Sequence, residues 1–164
     1  MKKNLEKSES FLSQKNVSNI NIQLKIKYFK KMVDVEKEIK DNPIVLFVIP
    51  KWLYNEYSIK IAWALEKNFN RICYVAFNKP YKNILRNLTE AGLKEDKFFF
   101  IDTITSTVQM PEPDKRCIFV QSPNALTDIS LAFTRAIKEK KCDTSVFDSL
   151  STLLIYEETH SIIK

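Results

Sequence analysis

Two acids stand where this sequence has the means for chemistry. Asp148 closes the apolar run "TSVFD" (residues 144 to 148), and Asp102 closes "KFFFID" (97 to 102). An acid at the C-terminal tip of a buried parallel strand lies at the rim where α/β sheets bind ligands. In a phosphate-binding fold such a carboxylate holds a magnesium ion or its water. The plainer reading is that Asp148 or Ser149 caps the turn after its strand, and the same two readings apply to Asp102. Local pattern alone favours the plainer one. The other place for chemistry is the turn Pro50-Lys51-Trp52, inside "VLFVIPKWLYNEYSIKIAWAL" (45 to 65). A turn between a buried strand and a long helix often carries a glycine-rich loop that wraps a phosphate. This one holds no glycine.

Residue types exclude several other chemistries. The three cysteines, Cys73, Cys117 and Cys142, are odd in number and form no Cys-x-x-Cys or Cys/His cluster. That argues against a disulfide framework and against a zinc site, so no metal is expected. Cys73 and Cys117 sit in or beside apolar runs and read as small buried hydrophobes. The one histidine, His160, is near the end of the sequence and unaccompanied, which favours simple exposure over catalysis. A net charge of +6 suits solubility and weak affinity for anions, and is not diagnostic of nucleic acid. Gly92 is the single glycine, where an average chain of this length carries about ten. Any mechanism that needs several glycines in one loop is thereby excluded.

The elements that must position these residues follow from the apolar pattern. Residues 1 to 20 are polar and charged and are expected to form a flexible tail. An N-terminal segment over 21–42 follows. Its "INIQLKIKY" alternates as a strand does, while Ile22, Ile26, Phe29 and Val33 keep helical spacing. Length and the lysine- and glutamate-rich second half favour a helix, ended by Asp41-Asn42-Pro43. From residue 43 onward the pattern is regular. "IVLFVI" (44–49), "ICYVAF" (72–77), "KFFFID" (97–102), "RCIFVQ" (116–121) and "TSVFD" (144–148) are five runs of the kind buried on both faces. Helices are expected between them, with Pro80 opening one and Gly92 stopping it in the left-handed conformation. Ser122 or Asn124 is a candidate cap for the next, lined by Leu126, Ile129, Phe133, Ala136 and Ile137. Strands alternating with helices mean an α/β three-layer sandwich around a five-stranded parallel sheet. No apolar run approaches the roughly 20 residues that span a bilayer, and the N-terminus is too polar for a secretory signal. Membrane association is not expected, and the cytoplasm is.

At this point residues carry a resemblance. "YVAFNKPYKNILRNLTEAGLKEDKFFFIDTITS" (74–106), followed by "DTSVFDSLSTLL" (143–154), resembles the core of the RecA/KaiC-type ATPases of the P-loop class, above all their archaeal branch. That family reads strand, helix ending "AG", a strand with "FIDxxT", then a hydrophobic Walker B strand ending "DSLS". The resemblance implies a RecA-like domain over 43–164, with Asp148 in the Walker B place and Ser149 beside it. A vestigial phosphate and magnesium site is then expected from Lys51, Ser58, Asp148 and Ser149.

Departures from that family are as informative as the match. Its Walker A loop should follow the run ending at Ile49, where "PKWLYNEYSIK" stands instead. Only glycines let consecutive backbone N–H groups turn inward around phosphate. Trp52, Leu53 and Tyr54 bring bulk into that space. Lys51 and Lys60 read better as exposed surface lysines, and Ser58 mimics the magnesium-binding hydroxyl only in a loop of the right shape. Many relatives place a water-activating glutamate after the second strand, and here Asn78-Lys79-Pro80 stands in its place. The chain also stops soon after Asp148, where relatives continue. In the family's usual strand order that bares an edge beside 44–49, for the N-terminal segment or another subunit to cover, unless the sequence is a fragment.

The expectation is a pseudo-ATPase without catalytic residues or cofactor, acting as a regulatory, signalling or interaction module with a protein partner or a second copy. The alternative is an ATP-binding or ATP-hydrolysing protein that uses a non-standard loop around Lys51. Nucleic-acid association is a third, weaker reading, carried by the basic and aromatic "PKWLYNEYSIK" and "NKPYKNILR".

Overall fold

Near-continuous apolar runs fold as strands only when both faces are covered, and four of the five expected runs do so. The computed structural model describes residues 34–155 and divides the chain into two compact units, Met1–Val45 and Leu46–Lys164. The tail over 1–20, the helix-or-strand stretch through residue 33 and His160 lie outside the described residues.

In the first unit the described residues hold helix α1 (Val35–Asp41). The Asp34 carboxylate caps it by accepting the Lys37 N–H at 3.1 Å, and Lys40 pairs with Glu36 at 2.8 Å. Asn42 leaves helical geometry, as the following proline demands.

In the second unit a 3₁₀ turn, Lys51–Leu53, leads directly into helix α2 (Tyr54–Asn68). Strand β1 (Ile72–Ala76), helix α3 (Tyr81–Glu90) and strand β2 (Phe98–Asp102) follow. Then come a short helix α4 (Thr105–Val108), strand β3 (Cys117–Phe119), helix α5 (Leu126–Lys138) and strand β4 (Thr144–Asp148). Residues 150–155 are helical. All pairings are parallel, in the order β3-β2-β1-β4. Register sets Ala76 beside both Asp102 and Asp148, so the two acids end at the same rim of the sheet.

Strand alternation divides the core into two layers. Cys73, Val75, Phe99 and Ile101 face one side, packed with Ile129, Ala132 and Ala136 of α5. Tyr74 and Phe100 meet at a tilt on the other, their ring centroids 5.8 Å apart, and the Tyr81 ring at the head of α3 lies 5.4 Å from that of Phe100. Both faces are thus covered, as an all-parallel sheet requires. Gly92 ends α3 at φ +82°, with its own N–H bonded to Thr89 O at 2.9 Å and the Leu93 N–H to Leu88 O at 3.0 Å. This is a Schellman stop, sealed by the buried pair Leu88 and Leu93.

Three expectations are corrected. The sheet has four strands among the described residues, because the run 44–49 forms none. Its Leu46 and Val48 side chains are 74% and 79% exposed, and β4 stands at the sheet edge where no described strand covers it. An apolar run supplies propensity, but a strand also needs a neighbour to complete its ladder. Helix α5 starts after Ala125 without a side-chain cap, since the Ser122 hydroxyl turns to the Asn124 side chain instead. Leu126 and Ile137, expected inward on α5, are 47% and 38% exposed, and Ala132 takes the buried place.

Candidate functional site

The rim is built from the two strand-end acids, and their surroundings differ. Asp102 is fully buried. Its Oδ1 accepts the N–H groups of Ile104 and Thr105 at 2.8 and 2.9 Å. Its Oδ2 accepts the Tyr81 N–H at 2.8 Å and the Thr105 hydroxyl at 2.6 Å. The carboxylate therefore ties the start of α3 and the start of α4 to the tip of β2. A negative group at two helix N-termini is favourable there, and four donors saturate it. Of its two readings, the capping one describes what Asp102 does.

Asp148 is also buried, but its partners are side chains from distant elements. Tyr54, at the first position of α2, directs its hydroxyl at both carboxylate oxygens, 2.6 and 2.5 Å away. The Tyr74 hydroxyl, inside β1, donates to Oδ2 at 2.5 Å. Asn78, in the loop after β1, points its amide nitrogen at Tyr54 Oη (3.2 Å) and at Asp148 Oδ1 (3.4 Å). The Asn78 carbonyl oxygen is buried without a partner among the described residues. Lys79 lays its ammonium over the Tyr54 ring, 4.7 Å from the centroid.

Both phenols are held well above the ordinary tyrosine range. Burial is the larger cause, and the Asp148 carboxylate adds to it by bonding and by charge. Two protonated phenols donate to the Asp148 side chain and occupy its oxygens.

The other expected site residues do not converge on this group. Lys51 is exposed on the 3₁₀ turn. Ser58 bonds back to the Asn55 carbonyl at 3.1 Å within α2. Ser149 is adjacent to Asp148 in the chain, yet its hydroxyl engages those of Ser151 and Thr152, at 2.9 and 3.1 Å. Trp52 is 68% exposed, while Leu53 is buried. The bulk expected at residues 52 to 54 thus reaches the strand tip through Tyr54 alone. Two N–H groups of that turn close local bonds: Leu53 donates to Pro50 O at 2.9 Å, and Tyr54 donates to Lys51 O. Lys60 is paired with Glu56 at 2.8 Å.

Tyr54, Tyr74 and Asn78 form the network, and Tyr74, not singled out from the sequence, carries a local signal of its own. It is the one hydroxyl in the otherwise apolar run "ICYVAF", and a buried phenol needs a partner. Among the described residues no group of three His, Cys, Asp or Glu side chains is arranged to hold a metal ion, and no helix is long and apolar enough to cross a membrane. Comparison with protein-family models, with curated proteins and with solved structures returns no match to this chain.

Proposed function

We propose that this chain is a RecA/KaiC-like α/β domain whose ATP machinery is degenerate and whose scaffold serves as a regulatory or protein-interaction module. The observation that carries the loss of ATP chemistry is the capture of Asp148 by Tyr54 and Tyr74.

A magnesium ion bound through Asp148 has to displace two charge-assisted hydroxyl donors, each contributing roughly 1.5–3 kcal/mol. It also has to enter a buried place already filled by the Tyr54 ring. The turn offers no compensating cradle, because its Leu53 and Tyr54 N–H groups close local bonds and do not converge on an anion. An interaction role is supported by the exposed apolar side chains of Leu46, Val48 and Trp52, close together in the chain just before α2. The partner in this reading is a protein surface, either another chain or a second copy, and no cofactor takes part.

Calorimetric titration with Mg-ATP tests the reading. The expected outcome is no saturable heat from the wild-type chain. Micromolar affinity that disappears in Asp148→Ala overturns it in favour of a nucleotide-binding protein with a non-standard phosphate loop.

A further inference from the structure

We propose that the free edge of β4 is a self-association surface, where two copies of this chain join their sheets by antiparallel pairing about Val146. This names the partner left open in the interaction reading above, and rests on that reading only for there being a protein partner.

The direction of each backbone group on β4 follows from its ladder. In a parallel pair a residue turns both its N–H and its C=O to one neighbour, and the next residue turns both away. The Phe77 N–H donates to Asp148 O at 2.7 Å, and the register sets Ala76 beside Asp148. Thr144, Val146 and Asp148 therefore bond to β1, while Ser145 and Phe147 turn their N–H and C=O groups outward. Among the described residues no strand stands beyond β4 to take them up. Donors and acceptors in that spacing are completed by another strand.

The opposite edge of the sheet is closed by its own chain. Strand β3 has three residues where β4 has five. The Phe100 N–H bonds to Arg116 O at 2.8 Å, so the same alternation turns Cys117 outward, and its N–H is already used, donating to Asp114 O at 3.1 Å. The preceding loop thus folds back on β3 as an antiparallel bridge. Strand β4 has no such protection. It pairs residue for residue with β1, without a bulge, and "TSVFD" holds neither lysine nor proline. Its Phe147 side chain is 40% exposed.

The strand is also complementary to itself. With a two-fold axis at Val146, Ser145 of each copy faces Phe147 of the other, and every outward N–H and C=O of both strands finds a partner. Val146 meets its own counterpart and Thr144 meets Asp148, so no like charges are opposed.

Sedimentation of the full chain from micromolar to sub-millimolar concentration tests the surface. A reversible monomer–dimer equilibrium is expected, weak because short edges bury little area. Ser145→Pro removes only an outward N–H, so β1 keeps its ladder, and association should weaken by roughly tenfold. Val146→Cys reads the register whatever the proline variant does to folding. Position 146 faces itself across a non-hydrogen-bonded pair, where Cα atoms lie about 4.5 Å apart, within reach of a disulfide. Mild oxidation should therefore join two chains through the introduced thiols, located by mass spectrometry of the linked peptides. Ser145→Cys, whose thiols are out of register with each other, should stay unlinked. A chain that remains monomeric overturns the proposal, the edge then being filled by another segment of the same chain or left for a different protein. So does a dimer in which Val146→Cys fails to cross-link, or in which Ser145→Cys links in its place. The Mg-ATP titration is read separately, so a monomer that binds no nucleotide overturns this inference alone.

Discussion

The tips of β2 and β4 present the same residue in the same position and put it to different physical use. Asp102 is bound mainly by backbone N–H groups that belong to the starts of two helices, so its partners arrive with the local fold. Asp148 is bound by two tyrosine hydroxyls, one 94 and the other 74 residues away along the chain. The first carboxylate is part of the wiring of turns. The second is satisfied only when α2, β1 and β4 are all in place, and its partners are side chains that substitution can remove singly. A strand-end acid is thus not informative by its type and place alone. What matters is whether backbone or side chain saturates it.

The comparison predicts a ranking. Asp102→Ala leaves the N–H groups of Tyr81, Ile104 and Thr105 without their acceptor in a buried place, and should cost about 3–4 kcal/mol in denaturant unfolding. For a chain of this size that lowers the thermal midpoint by roughly 10 °C. Tyr74→Phe removes one buried charge-assisted donor from Asp148 and should cost about 2.5 kcal/mol, with Tyr54→Phe costing about 1.5 kcal/mol because Tyr54 is only partly buried. If Asp102→Ala proves no more costly than Tyr74→Phe, the distinction between backbone and side-chain saturation fails.

The smallest effect is on pH dependence. Unfolded phenols lose their protons near pH 10. In the folded chain Tyr54 and Tyr74 hold theirs to higher pH, through burial first and Asp148 second. Their contribution to stability is therefore complete below about pH 10 and declines as pH rises through the elevated folded values. Unfolding measured between pH 9 and 11 should show this decline, and the double variant Tyr54→Phe/Tyr74→Phe should reduce its steepness. Tyr81 adds a share of its own, through burial and its bond to Asp114, so some decline persists in that variant. An unchanged slope in the double variant removes these two phenols from the account of the alkaline decline.

Much of the fold was legible in residue order, because the forces behind it are local. Runs such as "ICYVA" and "FFFID" have no polar face to offer water, so burial on both sides is their stable state. Gly92 occupies the one position on α3 where φ is positive, and a glycine stop is readable wherever a helical pattern ends. The run 44–49 shows the complementary limit. Its composition is that of a strand, but pairing is a property of a neighbour, and no described strand supplies one. Along α5 the small residue Ala132 is buried and the larger Leu126 is half exposed, because packing against β1 and β2 selects a face that apolarity alone does not specify.

The candidate site divides in the same way. Residue order alone placed Asp102 and Asp148 at strand tips and showed that no glycine loop stands between residues 50 and 58. Both follow from chain-local facts: side-chain period in a strand, and the steric privilege of glycine. Only the tertiary structure decided that Tyr54 and Tyr74 close over Asp148 and that Trp52 turns to solvent. Those contacts join residues tens of positions apart, and hydrogen bonds between side chains are selected by where the sheet and its helices bring them, after the local preferences have been met.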